Sequence, residues 1–194
     1  MAIRSFIAIK VPSDIQEALG RIEDRLRPAG APVGWVNPDN IHLTTKFLGY
    51  VEEQDLPKVC EVMKSAAGRT RPFDLEVAGL GTFPPVGTPR VVWAGVHGDL
   101  EPLDRLVQEL EQGVADAVGI RPEHRPYHAH LTLGRVKSGK NAEQLKAAML
   151  ECGAAMAGSF TADGITLFMS ELRHEGSIYT PMAEMRFEGE ARKT

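Results

Sequence analysis

The chain carries one order of predicted elements twice, and this repeat constrains its fold more than any other feature of the sequence. Each half reads as a strand, an amphipathic helix, a histidine-containing strand, a second helix and a strand. Phe73 follows His42 by nearly the same number of residues as Phe160 follows His130. The repeat therefore predicts two similar lobes that can face each other.

The apolar runs and their spacing place the elements of each half. In the first half we expect strands over residues 6–11, 41–48 (closed by Gly49) and 73–77, with helices after Ser13 and Leu56. In the second half we expect strands over residues 91–96 and 130–136 and from Phe160, with helices around residues 103–114 and 145–149.

These elements predict an α+β (α/β) fold with two pseudo-symmetric lobes. Each lobe is a mostly antiparallel sheet flanked by helices, and the lobes cover about residues 1–85 and 86–190, with strands that they can exchange. At 194 residues and 21.2 kDa the chain suits a single domain of this size. We expect the functional cleft to lie between the two lobes.

Each histidine-containing strand carries a threonine two residues after the histidine. The motifs are Ile41-His42-Leu43-Thr44-Thr45 and Ala129-His130-Leu131-Thr132-Leu133. Positions i and i+2 of a strand share a face, so each histidine points the same way as its threonine. Two imidazoles across a cleft can accept and donate protons near neutral pH, and two hydroxyls can donate to phosphate oxygens. The pair predicts a shared acid–base site whose groups suit phosphodiester hydrolysis and need no metal.

The residues around the two motifs add a family resemblance. Residues 35–49 and 127–135, together with residues 4–9, 81–84 and 89–93, resemble the two-histidine (2H) phosphoesterases and, more narrowly, the RNA 2′,3′-cyclic phosphodiesterases, also called 2′-5′ RNA ligases. The chain departs from the family pattern at Ala129, where proline is common, and at Thr45, where leucine is common. Both positions lie on the strand face away from the histidines.

The resemblance implies hydrolysis of RNA 2′,3′-cyclic phosphate ends to 2′-phosphomonoesters without a cofactor, with reversible 2′-5′ ligation. It implies that His42 donates a proton to the leaving 3′ oxygen and that His130 accepts one from water. Thr44 and Thr132 would bind phosphate oxygens. The division of acid and base between the histidines is open, because the two halves are nearly symmetric.

Other residues near the motifs are secondary candidates. Arg135 suits a phosphate oxygen, although strict alternation places it opposite His130. Alternation places Lys46 on the face of His42, where a solvated lysine is an equal expectation. Three aromatic residues could stack on a terminal base, with core packing as the alternative: Phe47, Phe83 and Tyr127. No metal site is predicted, because the cluster of His124, His128 and His130 lacks a suitably spaced acidic or cysteine ligand.

Composition limits the partners. The net charge of −4 and a pI near 5.9 argue against capture of long nucleic acid, so we expect an RNA 3′ end or a small cyclic nucleotide. No apolar run approaches the roughly 20 residues that span a bilayer, and only two cysteines occur, so we expect a cytoplasmic monomer without membrane contact. Three alternatives stay open: hydrolysis of a small nucleotide such as ADP-ribose 1″,2″-cyclic phosphate, RNA-end binding without turnover, and metal-dependent hydrolysis.

Overall fold

The computed structural model describes residues 1–153, 155–173 and 176–189. Its helices, in chain order, are α1 (Ser13–Leu26), α2 (Leu56–Arg69), α3 (Leu100–Val118) and α4 (Ala142–Cys152). Its strands are β1 (Ala2–Lys10), β2 (Val33–Trp35), β3 (His42–Glu52), β4 (Phe73–Phe83), β5 (Val91–Gly98), β6 (His130–Val136), β7 (Met156–Ala162), β8 (Gly164–Arg173) and β9 (Gly176–Arg186).

The strands form two sheets in which every pairing is antiparallel. Sheet 1 has the order β3-β1-β8-β9, and sheet 2 has the order β2-β6-β5-β4-β7. The α2 helix packs against β8 and β9 and α3 against β3, whereas α1 packs against β7 and α4. Two antiparallel sheets flanked by four helices confirm the predicted α+β fold class.

The two sheets do not follow the two halves of the sequence. Strands β8 and β9 come from the end of the chain and complete the sheet begun by β1 and β3. Strands β2 and β4 come from the first half and belong to the sheet of β5 and β6. Neither sheet is therefore complete without strands from both halves, and the loops that connect them cross between the sheets.

The repeat extends to the register of the two antiparallel strand pairs that contain the histidines, β1 with β3 and β5 with β6. In sheet 1, β1 pairs with β3 so that Lys10 lies opposite His42 and Ala8 opposite Thr44. In sheet 2, β5 pairs with β6 in the same way, and the corresponding pairs are Gly95 with His130 and Trp93 with Thr132. Both ladders then skip one residue after the threonine, Thr45 in β3 and Leu133 in β6.

These two β-bulges change which side chains share the histidine face. A bulge inserts one extra residue and shifts the alternation that follows it. The first pairs after the bulges are Ile7 with Lys46 and Val92 with Gly134, on the opposite face. The pairs after those contain Phe47 and Arg135, which therefore return to the face of the histidines. Strict alternation does not predict this placement.

The predicted end of the first histidine strand at Gly49 is wrong. Strand β3 continues to Glu52, and its pairing with β1 shifts a second time between Ser5 and Phe6. Gly49 has a φ of 69°, a left-handed conformation that glycine adopts without a steric penalty. The glycine accommodates an irregularity within the strand and does not terminate it.

The face of each motif opposite the histidine belongs to the hydrophobic core. Leu43 and Leu131 are fully buried in one core cluster that both sheets share. Thr45 is also buried, and its hydroxyl donates to the Ile7 carbonyl at 3.0 Å, which satisfies this polar group at the bulge. None of the helices in the described segments is long and apolar enough to cross a membrane.

Candidate active site

One cleft of about 1890 Å³ is lined by both sheets and by α3. All eight residues named as site candidates line it: His42, Thr44, Phe47, Phe83, Tyr127, His130, Thr132 and Arg135. The fold thus brings the two histidine motifs, which are distant in sequence, to one space. The chemical roles assigned to these residues stay predictions.

Both histidines are held in the same tautomer by the same local contact. The His42 Nδ1 lies 2.7 Å from the Asn40 carbonyl oxygen, and the His130 Nδ1 lies 2.6 Å from the His128 carbonyl oxygen. A carbonyl oxygen only accepts, so each Nδ1 carries a hydrogen and donates it. The Nε2 atom of each ring is left for proton transfer, which is the arrangement that acid–base catalysis requires.

His42 lies in an aromatic surround formed by sheet 1. Its ring stacks on Phe6 at 4.6 Å between centroids and meets Tyr179 edge-on at 5.2 Å. Burial among these rings lowers the pKa of His42, and the Asn40 carbonyl opposes this by favouring the charged form. The Asn40 side chain donates to the Ser177 carbonyl at 2.9 Å, which fixes the loop that supplies the contact to Nδ1.

His130 lies in a different setting, where other cations face it. Phe83 meets its ring edge-on at 5.0 Å, and the ring of His128 lies 6.0 Å away. Burial lowers the pKa of His130 most, and the charges of His128 and Arg135 lower it further, whereas the His128 carbonyl raises it. The neutral form of His130 is thus favoured by its charged neighbours as well as by burial.

Two contacts tie the first histidine strand to the loop that leads into the second. Tyr127 lies two residues before the second motif, and its hydroxyl donates to the Thr44 carbonyl at 2.9 Å. Burial raises the pKa of Tyr127, which keeps this hydroxyl protonated. The ring predicted to stack on a base is held between the two motifs by this bond.

Lys46 forms the second tie, and its placement differs from that expected. The bulge at Thr45 removes Lys46 from the alternation of His42, and Lys46 is only 4% exposed. Its ammonium pairs with Glu111 of α3 and donates to the Arg121 carbonyl at 3.2 Å. Glu111 also accepts from the Glu123 backbone N–H at 3.0 Å. Neither alternative for Lys46 holds: it is not on the face of His42 and it is not solvated, but forms a buried connection between β3, α3 and the following loop.

The aromatic candidates differ in exposure. Phe47 is 60% exposed at the cleft, so its ring is accessible to a ligand. Phe83 is half-buried and packs against Trp93 at 5.3 Å in addition to His130. Sequence reasoning missed three residues of the cleft wall, Phe6, Tyr179 and Arg90. Residues 4–9 and 89–93 carry part of the family resemblance, but nothing in the sequence assigns Phe6 or Arg90 to the site. The pairing of Phe6 opposite Phe47 is visible only in the sheet.

The cleft is more basic than the chain as a whole. Among the residues that the structure describes, six basic and three acidic side chains line it: Arg4, Lys46, Arg90, Arg121, Arg125 and Arg135, and Asp104, Glu111 and Glu123. The net charge of the chain is −4. The cleft can therefore attract an anion although the protein is acidic. Within the described segments, no three histidine, cysteine or acidic side chains converge as metal ligands.

Comparison with known proteins matches nearly the whole chain. A family model described as LigT like phosphoesterase matches residues 9–93 and 98–179. A protein of Methanothermobacter thermautotrophicus named RNA 2′,3′-cyclic phosphodiesterase is 36% identical over 186 residues, which cover 96% of this chain and 100% of the relative. A protein of Aeropyrum pernix with the same name is 34% identical over 168 residues, or 87% and 94% of the two chains.

Solved structures resemble the fold along the same length. The TT0787 protein of Thermus thermophilus superposes with a TM-score of 0.81 at 29% identity, covering 97% of this chain and 100% of that one. E. coli LigT complexed with 3′-AMP superposes with a TM-score of 0.76 at 25% identity, covering 96% and 99%. The similarity therefore includes both sheets and both histidine strands.

Proposed function

The chain belongs to the LigT like phosphoesterase family, and we propose that it is an RNA 2′,3′-cyclic phosphodiesterase. The observation that carries the proposal is the placement of two histidines with the same tautomer at one cleft, each beside a threonine. The names of the relatives support the same activity. Hydrolysis yields a 2′-phosphomonoester and a free 3′-hydroxyl.

The reaction needs one proton acceptor and one proton donor. His130 Nε2 takes a proton from water as the water oxygen bonds to phosphorus. The bond from phosphorus to the 3′ oxygen breaks, and His42 Nε2 gives its proton to that oxygen. Thr44 and Thr132 donate to the non-bridging oxygens, where charge develops in the transition state. With a 5′-hydroxyl in place of water, the same transfers form a 2′-5′ bond.

The surroundings of the two rings support this division of roles. His128 and Arg135 favour the neutral form of His130, which is the form that a base needs. The bound cyclic phosphate carries a negative charge, which favours the imidazolium form of a histidine beside it. The neighbours of His42, Phe6 and Tyr179, are aromatic rings. The negative charge of the bound substrate is therefore the main group that stabilises the protonated form of His42.

The test uses an RNA oligonucleotide that ends in a 2′,3′-cyclic phosphate, incubated with the protein in EDTA. We expect a 2′-phosphate product, identified by ³¹P NMR, and no product from a His42→Ala, His130→Ala double variant. Activity that disappears with EDTA and returns with zinc or manganese would instead support a metal-dependent hydrolase. Tight binding without turnover would support an RNA-end-binding module.

We also propose that the enzyme acts as a monomer in the cytoplasm. Both histidine strands come from one chain, so one copy completes the cleft. We infer the cytoplasmic location from the proposed RNA substrate. Sedimentation of the purified protein tests the oligomeric state, and fractionation of cells tests the location.

A further inference from the structure

The cationic residues of the cleft are not evenly distributed relative to the acidic ones. All three acidic residues lie on α3 or in the loop after it, and two of them pair with cations of the cleft, Glu111 with Lys46 and Glu123 with Arg125. The wall formed by sheet 2 has Arg90 and Arg135. No carboxylate of the described residues lies within salt-bridge distance of either guanidinium. This part of the cleft therefore keeps an uncompensated positive charge.

Arg90 and Arg135 are neighbours in the sheet. Arg90 precedes β5, and its carbonyl accepts the Val136 backbone N–H at 2.9 Å, while Val91 lies opposite Arg135. Both side chains are exposed and line the cleft. Arg135 continues the row that starts with His130 and Thr132, because the bulge at Leu133 returns it to that face. Arg90 precedes Val91, the partner of Arg135, and lines the cleft just beyond the end of this row.

The row is longer than a single phosphate requires. On β5, Gly95 lies opposite His130 and Val91 lies opposite Arg135. These two residues are four positions apart, which corresponds to about 13 Å of strand. The cleft volume of about 1890 Å³ also exceeds that of typical small-molecule pockets, roughly 300 to 1,000 Å³. A terminal cyclic nucleotide would fill only part of this space, so the cleft has room for a substrate that extends beyond the terminal nucleotide.

Building on the proposed function, we propose that Arg90, with Arg135 between it and the scissile phosphate, binds the phosphodiester that joins the 3′-terminal nucleotide to the one before it. A guanidinium in this position offers two parallel N–H donors to a phosphate. The preferred substrate is then an RNA of at least two nucleotides. A cyclic mononucleotide, which lacks this phosphodiester, is a poorer one.

The experiment compares three substrates that share the same 2′,3′-cyclic phosphate: a mononucleotide, a dinucleotide, and the same dinucleotide with a neutral methylphosphonate linkage. The methylphosphonate removes the charge of the flanking group and keeps its approximate shape. We expect kcat/KM for the charged dinucleotide to exceed that for the neutral one by about tenfold, the value of one charge-assisted contact. The salt dependence of log kcat/KM is steeper for the charged dinucleotide by about 0.7, as expected for one phosphate contact to a single strand.

Arg90→Gln is the variant that tests the residue, and Arg105→Gln is its matched control. Arg105 lies on α3, where it pairs with Glu101, and it does not line the cleft. Both changes remove one positive charge from the chain. We expect Arg90→Gln to bring the charged and neutral dinucleotides within about twofold of each other. We expect Arg105→Gln to keep the full preference.

Equal kcat/KM for the charged and neutral dinucleotides in the wild type would overturn the proposal, as would a full preference in Arg90→Gln. If no cyclic phosphate is hydrolysed, the proposed function fails, and the subsite is tested by binding. The affinities of the two dinucleotides for wild type and Arg90→Gln are then measured by isothermal titration calorimetry. The subsite is supported if the wild type prefers the charged dinucleotide and Arg90→Gln loses this preference, and it is overturned otherwise.

Discussion

The two strands that carry His42 and His130 have the same backbone arrangement and different surroundings. Each has the same pairing register, the same bulge after the threonine and the same carbonyl contact to Nδ1. The positions around them differ: Asn40 corresponds to His128, and Phe47 corresponds to Arg135. Aromatic rings contact both histidines, and His130 in addition lies beside His128 and Arg135.

This comparison teaches how a repeated element acquires two roles. A symmetric pair of imidazoles would have no physical reason to divide the acid and base functions. Burial is the largest influence on the pKa of both histidines and lowers it, and the charges of His128 and Arg135 lower the pKa of His130 further. The backbone contacts position both rings, and we propose that the side chains that differ between the halves divide the acid and base roles.

The largest expected effect comes from removing either ring. His42→Gln and His130→Gln each remove one proton transfer, and we expect each to lower kcat/KM by about 10² to 10⁴. The double variant falls little further, because the two groups act in one step. Steady-state kinetics on a cyclic phosphate substrate measures this, with circular dichroism as a check of folding. A single variant that keeps more than a tenth of the activity would contradict the paired mechanism.

Replacing the threonines with valine removes one hydroxyl on each side. We expect losses of roughly 10- to 100-fold, typical of hydrogen bonds to charged groups. Thr44→Val costs more than Thr132→Val, because Arg135 lies near Thr132 and the corresponding residue on the other strand is Phe47. The two kcat/KM values give the comparison directly. The opposite order would show that Arg135 does not share the phosphate with Thr132.

A third difference separates Lys46 from its counterpart Gly134. A Cβ on Gly134 would lie 2.5 Å from a Val33 side-chain atom. This strand therefore has no room for a side chain that could form a connection like that of Lys46. We expect Lys46→Met and Glu111→Gln each to destabilise the fold by about 3 kcal/mol, because each leaves a partly buried charge unpaired. We also expect kcat to fall by roughly tenfold in each, as the loop bearing Tyr127 loosens.

The matched control for this tie is Glu109→Gln on the same helix. Glu109 pairs with Arg69 at 2.9 Å in an exposed position outside the cleft. We expect a change in stability of under about 1 kcal/mol, as for other surface pairs, and unchanged kinetics. If Glu109→Gln and Glu111→Gln behave alike in thermal melts and assays, the Lys46 connection has no special role.

The smallest expected effect is a shift of the pH profile. In the proposed mechanism activity requires neutral His130 and protonated His42, so we expect kcat/KM to rise as His130 loses its proton and to fall as His42 loses its own. Burial lowers the pKa of both histidines, which places the optimum on the acidic side of their usual range. Removing the charge of Arg135 raises the pKa of His130, so Arg135→Gln moves the acidic limb to higher pH.

Arg135→Lys keeps the charge and serves as the control for this shift. We expect its acidic limb to stay at the wild-type position, although its kcat/KM falls because lysine lacks the planar pair of donors. Profiles of kcat/KM measured from the acidic to the mildly alkaline range separate the two variants. Movement of the alkaline limb in Arg135→Gln would instead give His130 the higher pKa and reverse the assigned roles.

Much of the fold and site followed from local patterns. The strand positions of both motifs, the helices between them and the shared face of each histidine and threonine are set by alternation over a few residues. Arg135 and Lys46 could not be placed in this way, because a bulge depends on the partner strand. Alternation alone places Lys46 beside His42 and Arg135 away from His130, and the structure has the reverse.

The sequence by itself determined the two histidine strands, their threonines and the α+β class, because these depend on periodicity that each segment carries alone. The tertiary structure decided the exchange of strands between the sheets, the return of Arg135 and Phe47 to the histidine face and the buried Lys46–Glu111 connection. It also decided that a chain with a net charge of −4 has a basic cleft. The physical reason is that register, burial and local charge are properties of residues brought together from distant positions.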